Sequence, residues 1–153
     1  MVSVLVIIPT YNESENITAL LSLLDRVRNE LSSRYKIDIL IVDDNSPDRT
    51  VDTARSVNIE NILILSRSMK RGIGPAYLDG FDLGLKNDYQ YFVQMDADLS
   101  HMPEQLEKLL AVASSKSLVI GTRWMPGGSV VNWPFHRRLI SNPASCALRA
   151  TSI

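Results

Sequence analysis

The chain has 153 residues, 45% of them hydrophobic and 22% charged, with a formal net charge of −1. That length supports one hydrophobic core and excludes two ordinary domains, so one globular α/β unit is expected. A single cysteine, Cys146, excludes an internal disulfide and fits a reduced, cytosolic setting. Residues 1–8 lack a basic leader and a cleavage site and run straight into Pro9, so they read as a strand rather than a signal peptide. No apolar stretch reaches the roughly 18–20 residues needed to span a bilayer, so any membrane contact is expected to be peripheral. The small net charge hides an asymmetry. After Lys108 the charged residues are Lys116, Arg123, Arg137, Arg138 and Arg149, all basic, while the preceding part is acidic. A basic stretch of this kind suits an anionic partner or a solvated surface.

In chain order, apolar runs at 4–8, 37–42, 62–65, 91–95 and 118–120 alternate with segments of helical period. That is the pattern of βα units around a parallel sheet, and the lack of strict alternation within the runs predicts that both sheet faces are covered. After the first run, Ile17, Leu20, Leu21, Leu24, Val27 and Leu31 follow the i, i+3, i+4, i+7 template of a helix, with Asn12 as candidate N-cap and Glu15 three residues on. A second helix is expected from near Thr50 and a third from near Pro75, since proline suits a first helical turn. A fourth should start at Pro103 and run to about Ser114, with Leu106, Leu109, Leu110 and Ala113 inward. Beyond Arg123 the period fails, and Met125-Pro126-Gly127-Gly128 reads as a turn or loop.

Ligands of open parallel sheets bind outside the carboxyl ends of the strands. The residues just after the five runs include Tyr11 and Glu13; Asp43 and Asp44; Ser66 and Arg67; Asp96, Ala97 and Asp98; and Gly121 and Arg123. Polar and charged groups thus gather at one edge. Strand residues two apart point the same way, so Asp96 and Asp98, one residue apart at the end of a buried strand, could converge on one divalent cation if the strand ends there. Two carboxylates so placed suit Mg²⁺ or Mn²⁺, cations that bridge a few carboxylates and substrate phosphates. An Asp-x-Asp at a strand end is also ordinary turn chemistry. His101, alone in a loop, reads as a surface residue rather than a ligand.

Four segments taken together carry a resemblance. They are Val6-Ile7-Ile8-Pro9-Thr10-Tyr11-Asn12-Glu13, Ile41-Val42-Asp43-Asp44-Asn45-Ser46-Pro47-Asp48, Arg71-Gly72-Ile73-Gly74-Pro75-Ala76-Tyr77 and Asp96-Ala97-Asp98-Leu99-Ser100-His101. The chain resembles family 2 glycosyltransferases of the GT-A fold, a Rossmann-like three-layer αβα architecture with a mostly parallel sheet. Within the family it is similar to the dolichol-phosphate or polyprenol-phosphate mannosyltransferases. The resemblance covers residues 3–141. It implies a nucleotide-sugar-binding core at 1–124, followed by an acceptor-side loop and an incomplete acceptor segment at 125–153, with family members continuing further.

The resemblance also implies roles. Pro9, Tyr11 and Glu13 would border the nucleotide, and Val42 and Asp44 would hold the base edge, a carboxylate being able to accept from ring N–H donors. Asp43 would bond its own loop. Asp96, Ala97 and Asp98 would meet ribose, diphosphate and metal, with Asp96 and Asp98 as metal ligands. Arg123 would brace the diphosphate through its fork of N–H donors. Arg137 and Ser141 would receive the acceptor phosphate, and Asp98 and Arg123 would carry the catalysis. The implied reaction is metal-assisted, inverting transfer of mannose from GDP-mannose to a dolichol or polyprenol phosphate. Implied with it are Mg²⁺ or Mn²⁺, a place at the cytosolic face of a membrane by peripheral contact or a membrane subunit, a role in protein glycosylation, and no nucleic-acid partner. The alternatives are another family 2 transferase using UDP-glucose or a similar donor, or a non-catalytic nucleotide-sugar-binding module.

Overall fold

A computed structural model describes residues 1–114 and 116–121. The elements run β1 (Val2–Thr10), α1 (Ile17–Glu30), β2 (Tyr35–Asp43), α2 (Thr50–Ser56), β3 (Ile62–Ser66), α3 (Ile73–Lys86), β4 (Tyr91–Gln94), a 3-10 turn (Pro103–Gln105) and α4 (Leu106–Val112). The described strands form one parallel sheet in the order β3-β2-β1-β4. The first two crossovers step the sheet one way from β1, and the third steps back past β1 to its other side. Parallel crossovers are right-handed, so reversing the direction moves the connecting helix to the opposite face.

The packing follows that rule. Val4, Val6, Ile8, Ile37, Ile39 and Ile41 pack with α1, Ala54 of α2, and Leu106 and Leu110 of α4 on one face. Leu5, Ile7, Leu40 and Val42 pack with Ala76 of α3 on the other. Helices on both faces of a parallel sheet are the expected three-layer αβα architecture. The α1 stripe is buried as its period predicts, from Ile17 through Leu31. Each such side chain stabilises the fold by about 1.5–3 kcal/mol through burial. On the other face α3 approaches β1 closely because Gly80 and Gly84 are buried at the contact. A Cβ at Gly80 would stand 2.6 Å from Cγ2 of Ile7.

Three local expectations are corrected. Helix α1 starts at Ile17 rather than after Asn12, and its N-cap Asn16 makes no side-chain cap bond. Asn12 instead takes a left-handed φ of 59° in the preceding loop, because that loop's N–H groups find partners across the sheet edge. The run at 118–120 forms no strand. The third correction concerns Asp96 and Asp98. β4 ends at Gln94, so the two carboxylates lie in the turn beyond it and not on the strand. The apolar run is longer than its strand because Met95 and Ala97 are buried in the core beneath that turn.

The chain divides into two compact units, Met1–Ser117 and Leu118–Ile153. All the elements above belong to the first. The reversal of direction between β1 and β4 makes their carboxyl ends the topological switch point, where open α/β sheets place ligands.

Candidate functional site

At the carboxyl edge of the sheet the loops after β1 and β2 are bonded to each other. The Asn12 N–H donates to Ser46 Oγ at 3.1 Å, the Glu13 N–H to Thr50 Oγ1 at 3.0 Å and the Ser14 N–H to Asp48 Oδ2 at 2.9 Å. Small polar residues of the second loop thus satisfy backbone donors of the first, which otherwise would stay unpaired ahead of α1. Burial works to raise the Asp48 carboxyl, but bonds from Thr50 and Ser14 outweigh it and hold it below the usual carboxylate range. Asp43 is 2% exposed and structural, as expected. It accepts from Thr10 Oγ1 at 2.8 Å and from the Ser46 N–H at 2.9 Å.

Asp44 ties this pair of loops to a third. Its Oδ2 accepts the N–H groups of Arg71 and Gly72 at 2.9 and 2.7 Å, and its Oδ1 lies 2.6 Å from Nη1 of Arg67. Both side chains of this ion pair are 5% exposed. Arg67 also reaches Oδ2 of Asp79 on α3 at 3.2 Å and donates to the Gly72 carbonyl at 3.3 Å. Nη2 of Arg67 is buried without a hydrogen-bond partner among the described residues. Gly72 has φ 92°, a conformation that only glycine adopts without strain, and it delivers the chain into α3. Within the same loop Lys70 places Nζ 3.6 Å from the centroid of the Tyr11 ring, a cation–π contact. Tyr11, Asp44 and residues 67–72 therefore form one cluster.

The second cluster lies beyond β4. The Met95 N–H still donates to the Ile7 carbonyl at 3.1 Å, and the turn then begins. The Tyr77 hydroxyl donates to Asp96 Oδ1 at 3.3 Å, and the Asp96 N–H donates to Nδ1 of His101 at 3.2 Å. Burial, and then the Asp96 charge, push the Tyr77 hydroxyl well above its ordinary value, so it stays protonated as a donor. Asp98 Oδ1 accepts the Ser100 N–H at 2.9 Å. Burial works to raise the Asp98 carboxyl, but Ser100 and the His101 ring outweigh it and hold it below the usual range. Leu99, at φ 59°, closes the turn. Two hard oxygen donors, one of them firmly ionised, fit Mg²⁺ or Mn²⁺ as partial ligands. Among the described residues no group of three or more His, Cys, Asp or Glu could hold a metal ion by itself, so further ligands would have to come from substrate oxygens.

The remaining expected residues are placed as follows. Pro9 is half-buried in β1, paired with Val42. Strand residues two apart face the same way, so its nitrogen shares the β4 side with Ile7, and pairing on that side has already stopped at Ile7 and Gln94. The missing N–H costs the sheet nothing there. Val42 has its side chain fully in the core, which leaves only its backbone for a ligand. Glu13 accepts from Nδ2 of Asn16 at 2.9 Å. Ala97 is 4% exposed. Arg123, Arg137 and Ser141 lie outside the described residues. The sequence puts Arg67 at the ligand edge without giving it a partner, and singles out neither Lys70 nor Tyr77. A lone arginine closing an apolar run was the one available signal for Arg67; Tyr77 carried none beyond its place in a glycine-rich motif.

An open parallel sheet with helices on both faces, and carboxylates after its first, second and fourth strands, is a GT-A-type α/β domain. The chain belongs to glycosyl transferase family 2, whose profile matches residues 5–150. It is 46% identical over 140 residues to the undecaprenyl-phosphate mannosyltransferase of Micrococcus luteus, covering 90% of this chain and 55% of that protein. It is 44% identical over 145 residues to the polyprenol monophosphomannose synthase of Mycolicibacterium smegmatis, covering 92% and 52%. With the dolichol-phosphate mannosyltransferase of Pyrococcus furiosus the identity is 40% over 141 residues, covering 91% and 38%. The chain spans about half the length, or less, of these curated relatives. Among solved structures, the Pyrobaculum calidifontis mannosyltransferase in complex with GDP-Man and Mn²⁺ superposes with a TM-score of 0.54 at 23% identity, over 70% of this chain and 31% of that one. That likeness establishes the fold.

Proposed function

We propose that this chain binds GDP-mannose with Mg²⁺ or Mn²⁺ and serves the inverting transfer of mannose to a dolichol or polyprenol phosphate. The observation that carries the reading is the placement of Asp96 and Asp98 in the turn beyond β4, at the switch point of a family 2 sheet. The 46% identity to an undecaprenyl-phosphate mannosyltransferase supports mannose as the sugar and a lipid phosphate as the acceptor.

The acceptor explains the economy of the site. A phosphate monoester has its second pKa near 6, so at neutral pH it is mostly dianionic and already nucleophilic. No strong general base is required of the chain. The demand falls on holding the donor and on balancing the charge of the departing diphosphate. Tyr11, Glu13, Asp44 and the backbone at Pro9 and Val42 would border the nucleotide, and Asp96 and Asp98 would hold the cation. When bound, that cation supplies positive charge to the leaving diphosphate. Arg123 would add to it, and Arg137 and Ser141 would receive the acceptor phosphate. Catalysis on this account is positioning and electrostatic stabilisation. Among the described residues no helix is long and apolar enough to cross a membrane, so contact with the lipid acceptor, at the cytosolic face, would be peripheral or through a membrane subunit.

Calorimetric titration of GDP-mannose tests the reading, with Mn²⁺, with EDTA, against UDP-glucose, and with Asp98→Ala. Binding should tighten with the metal, prefer GDP-mannose and, with Mn²⁺ present, weaken at least about tenfold in the variant, some 1.4 kcal/mol. Preference for UDP-glucose would replace the donor assignment, and binding of neither nucleotide would remove it. GDP-mannose binding without mannose transfer to polyprenol phosphate would leave a binding module.

A further inference from the structure

The carboxylate of Asp96 stands two residues past the end of β4, outside the sheet ladder. A side chain from another element holds it. Tyr77, on α3, donates its hydroxyl to Asp96 Oδ1 at 3.3 Å. The donor is itself rigidly carried: the Tyr77 ring stacks on Phe81 with centroids 6.4 Å apart, and Phe81 meets Phe92 of β4 edge-on at 5.6 Å. The other oxygen of Asp96, Oδ2, is 3.8 Å from Nδ1 of His101, beyond hydrogen-bond range. One oxygen is thus held by the protein while the other is not tied by His101. The same helix is bonded at its start to Asp44, through the Gly72 N–H at 2.7 Å. α3 therefore connects the carboxylate of the second strand's loop with that of the fourth.

We propose that Tyr77 is a positioning residue for cation binding: its hydroxyl fixes the rotamer of Asp96 so that Oδ2 is presented to the metal. The inference rests on the reading of Asp96 and Asp98 as the cation-binding pair. A charge-assisted bond to a ligating carboxylate sets its orientation, and loss of such an outer partner typically costs ten- to a hundredfold in metal affinity. The chain contains an internal control. Tyr89 donates to Asp38 Oδ2 at 2.7 Å, the same chemistry near the opposite end of the sheet.

The experiment measures Mn²⁺ affinity by the electron paramagnetic resonance of free Mn²⁺, in saturating GDP, for the wild-type chain, Tyr77→Phe and Tyr89→Phe. GDP affinity in EDTA is measured alongside. Tyr77→Phe should weaken Mn²⁺ about tenfold and leave GDP affinity in EDTA within about twofold of wild type, while Tyr89→Phe matches wild type in both. Wild-type Mn²⁺ affinity in Tyr77→Phe would overturn the role of Tyr77 and leave the cation pair standing. Parallel loss of GDP binding in EDTA would also overturn it, showing a merely structural tyrosine. Absence of Mn²⁺ binding by the wild-type chain would remove the cation pair itself and the inference with it.

Discussion

At the scale of single residues, Arg67 shows what a buried charge does when its partners are in place. Its guanidinium meets Asp44 at 2.6 Å and Asp79 at 3.2 Å, with both members of the Asp44 pair 5% exposed. Such a pair gives modest net stability, but removing one member leaves the other charge desolvated. Arg67→Met should destabilise the chain by about 3 kcal/mol in urea unfolding. Asp44→Asn should cost less, because the arginine keeps Asp79 and the Gly72 carbonyl. The motif marks Asp44 as a candidate site residue. Its pairing with Arg67 was not legible, since Arg67 lies 23 positions further along and no local periodicity connects them. The same holds for Lys70 over Tyr11, which puts a cation against the ring that the resemblance assigns to the nucleotide.

Among the elements, α1 and α3 solve the same problem in opposite ways. α1 covers its face of the sheet with large side chains, Leu20, Leu21 and Leu24 among them, all at 0–1% exposure. Its periodic stripe is strong enough to be read without a structure. α3 sets Ala76, Gly80 and Gly84 at the contact, with Tyr77, Phe81 and Leu83 packed around them, and brings its backbone down onto β1 and β4. A Cβ on Gly84 would lie 2.9 Å from Cδ2 of Leu5 and against the Phe92 ring. Gly84→Ala therefore sets overpacking of about 1–3 kcal/mol against a helix-propensity gain of about 1 kcal/mol. A net loss of up to about 2 kcal/mol is expected in urea unfolding, while Leu85→Ala, at a position 67% exposed, should stay within about 0.5 kcal/mol of wild type. The close approach also lets Tyr77 reach Asp96 from one turn inside α3. The start of α1 was misjudged for a related reason: Asp48 takes the Ser14 N–H that an Asn12 cap would have held, and Ser46 and Thr50 take the N–H groups of Asn12 and Glu13.

For the whole molecule the carboxylate edge makes stability depend on pH at the acid end. Asp48 and Asp98 are both held below their ordinary 3.8 in the fold. Each stabilises the folded state fully above that value, and the contribution disappears as pH falls through it toward the folded value. The urea midpoint should drop between about pH 5 and pH 3, and less steeply in Asp48→Asn. At the alkaline end the sign reverses. Burial, then the bond to Asp38, push the Tyr89 hydroxyl up from 10.0 to about 12, so its contribution is present below pH 10.0 and lost as pH rises toward 12.

The alternation of apolar runs with helical periods determined the parallel sheet, the two covered faces and the edge at which charged residues collect. These follow from burial and period, which any segment displays within its own few turns. The tertiary structure decided which of those charges are free and which are spent. It buried Asp44 against Arg67, ended β4 short of Asp96 and put Tyr77 behind it. The physical reason is that hydrogen bonds and ion pairs between distant segments depend on the register of the strands and the approach distance of the helices. No segment carries either quantity by itself.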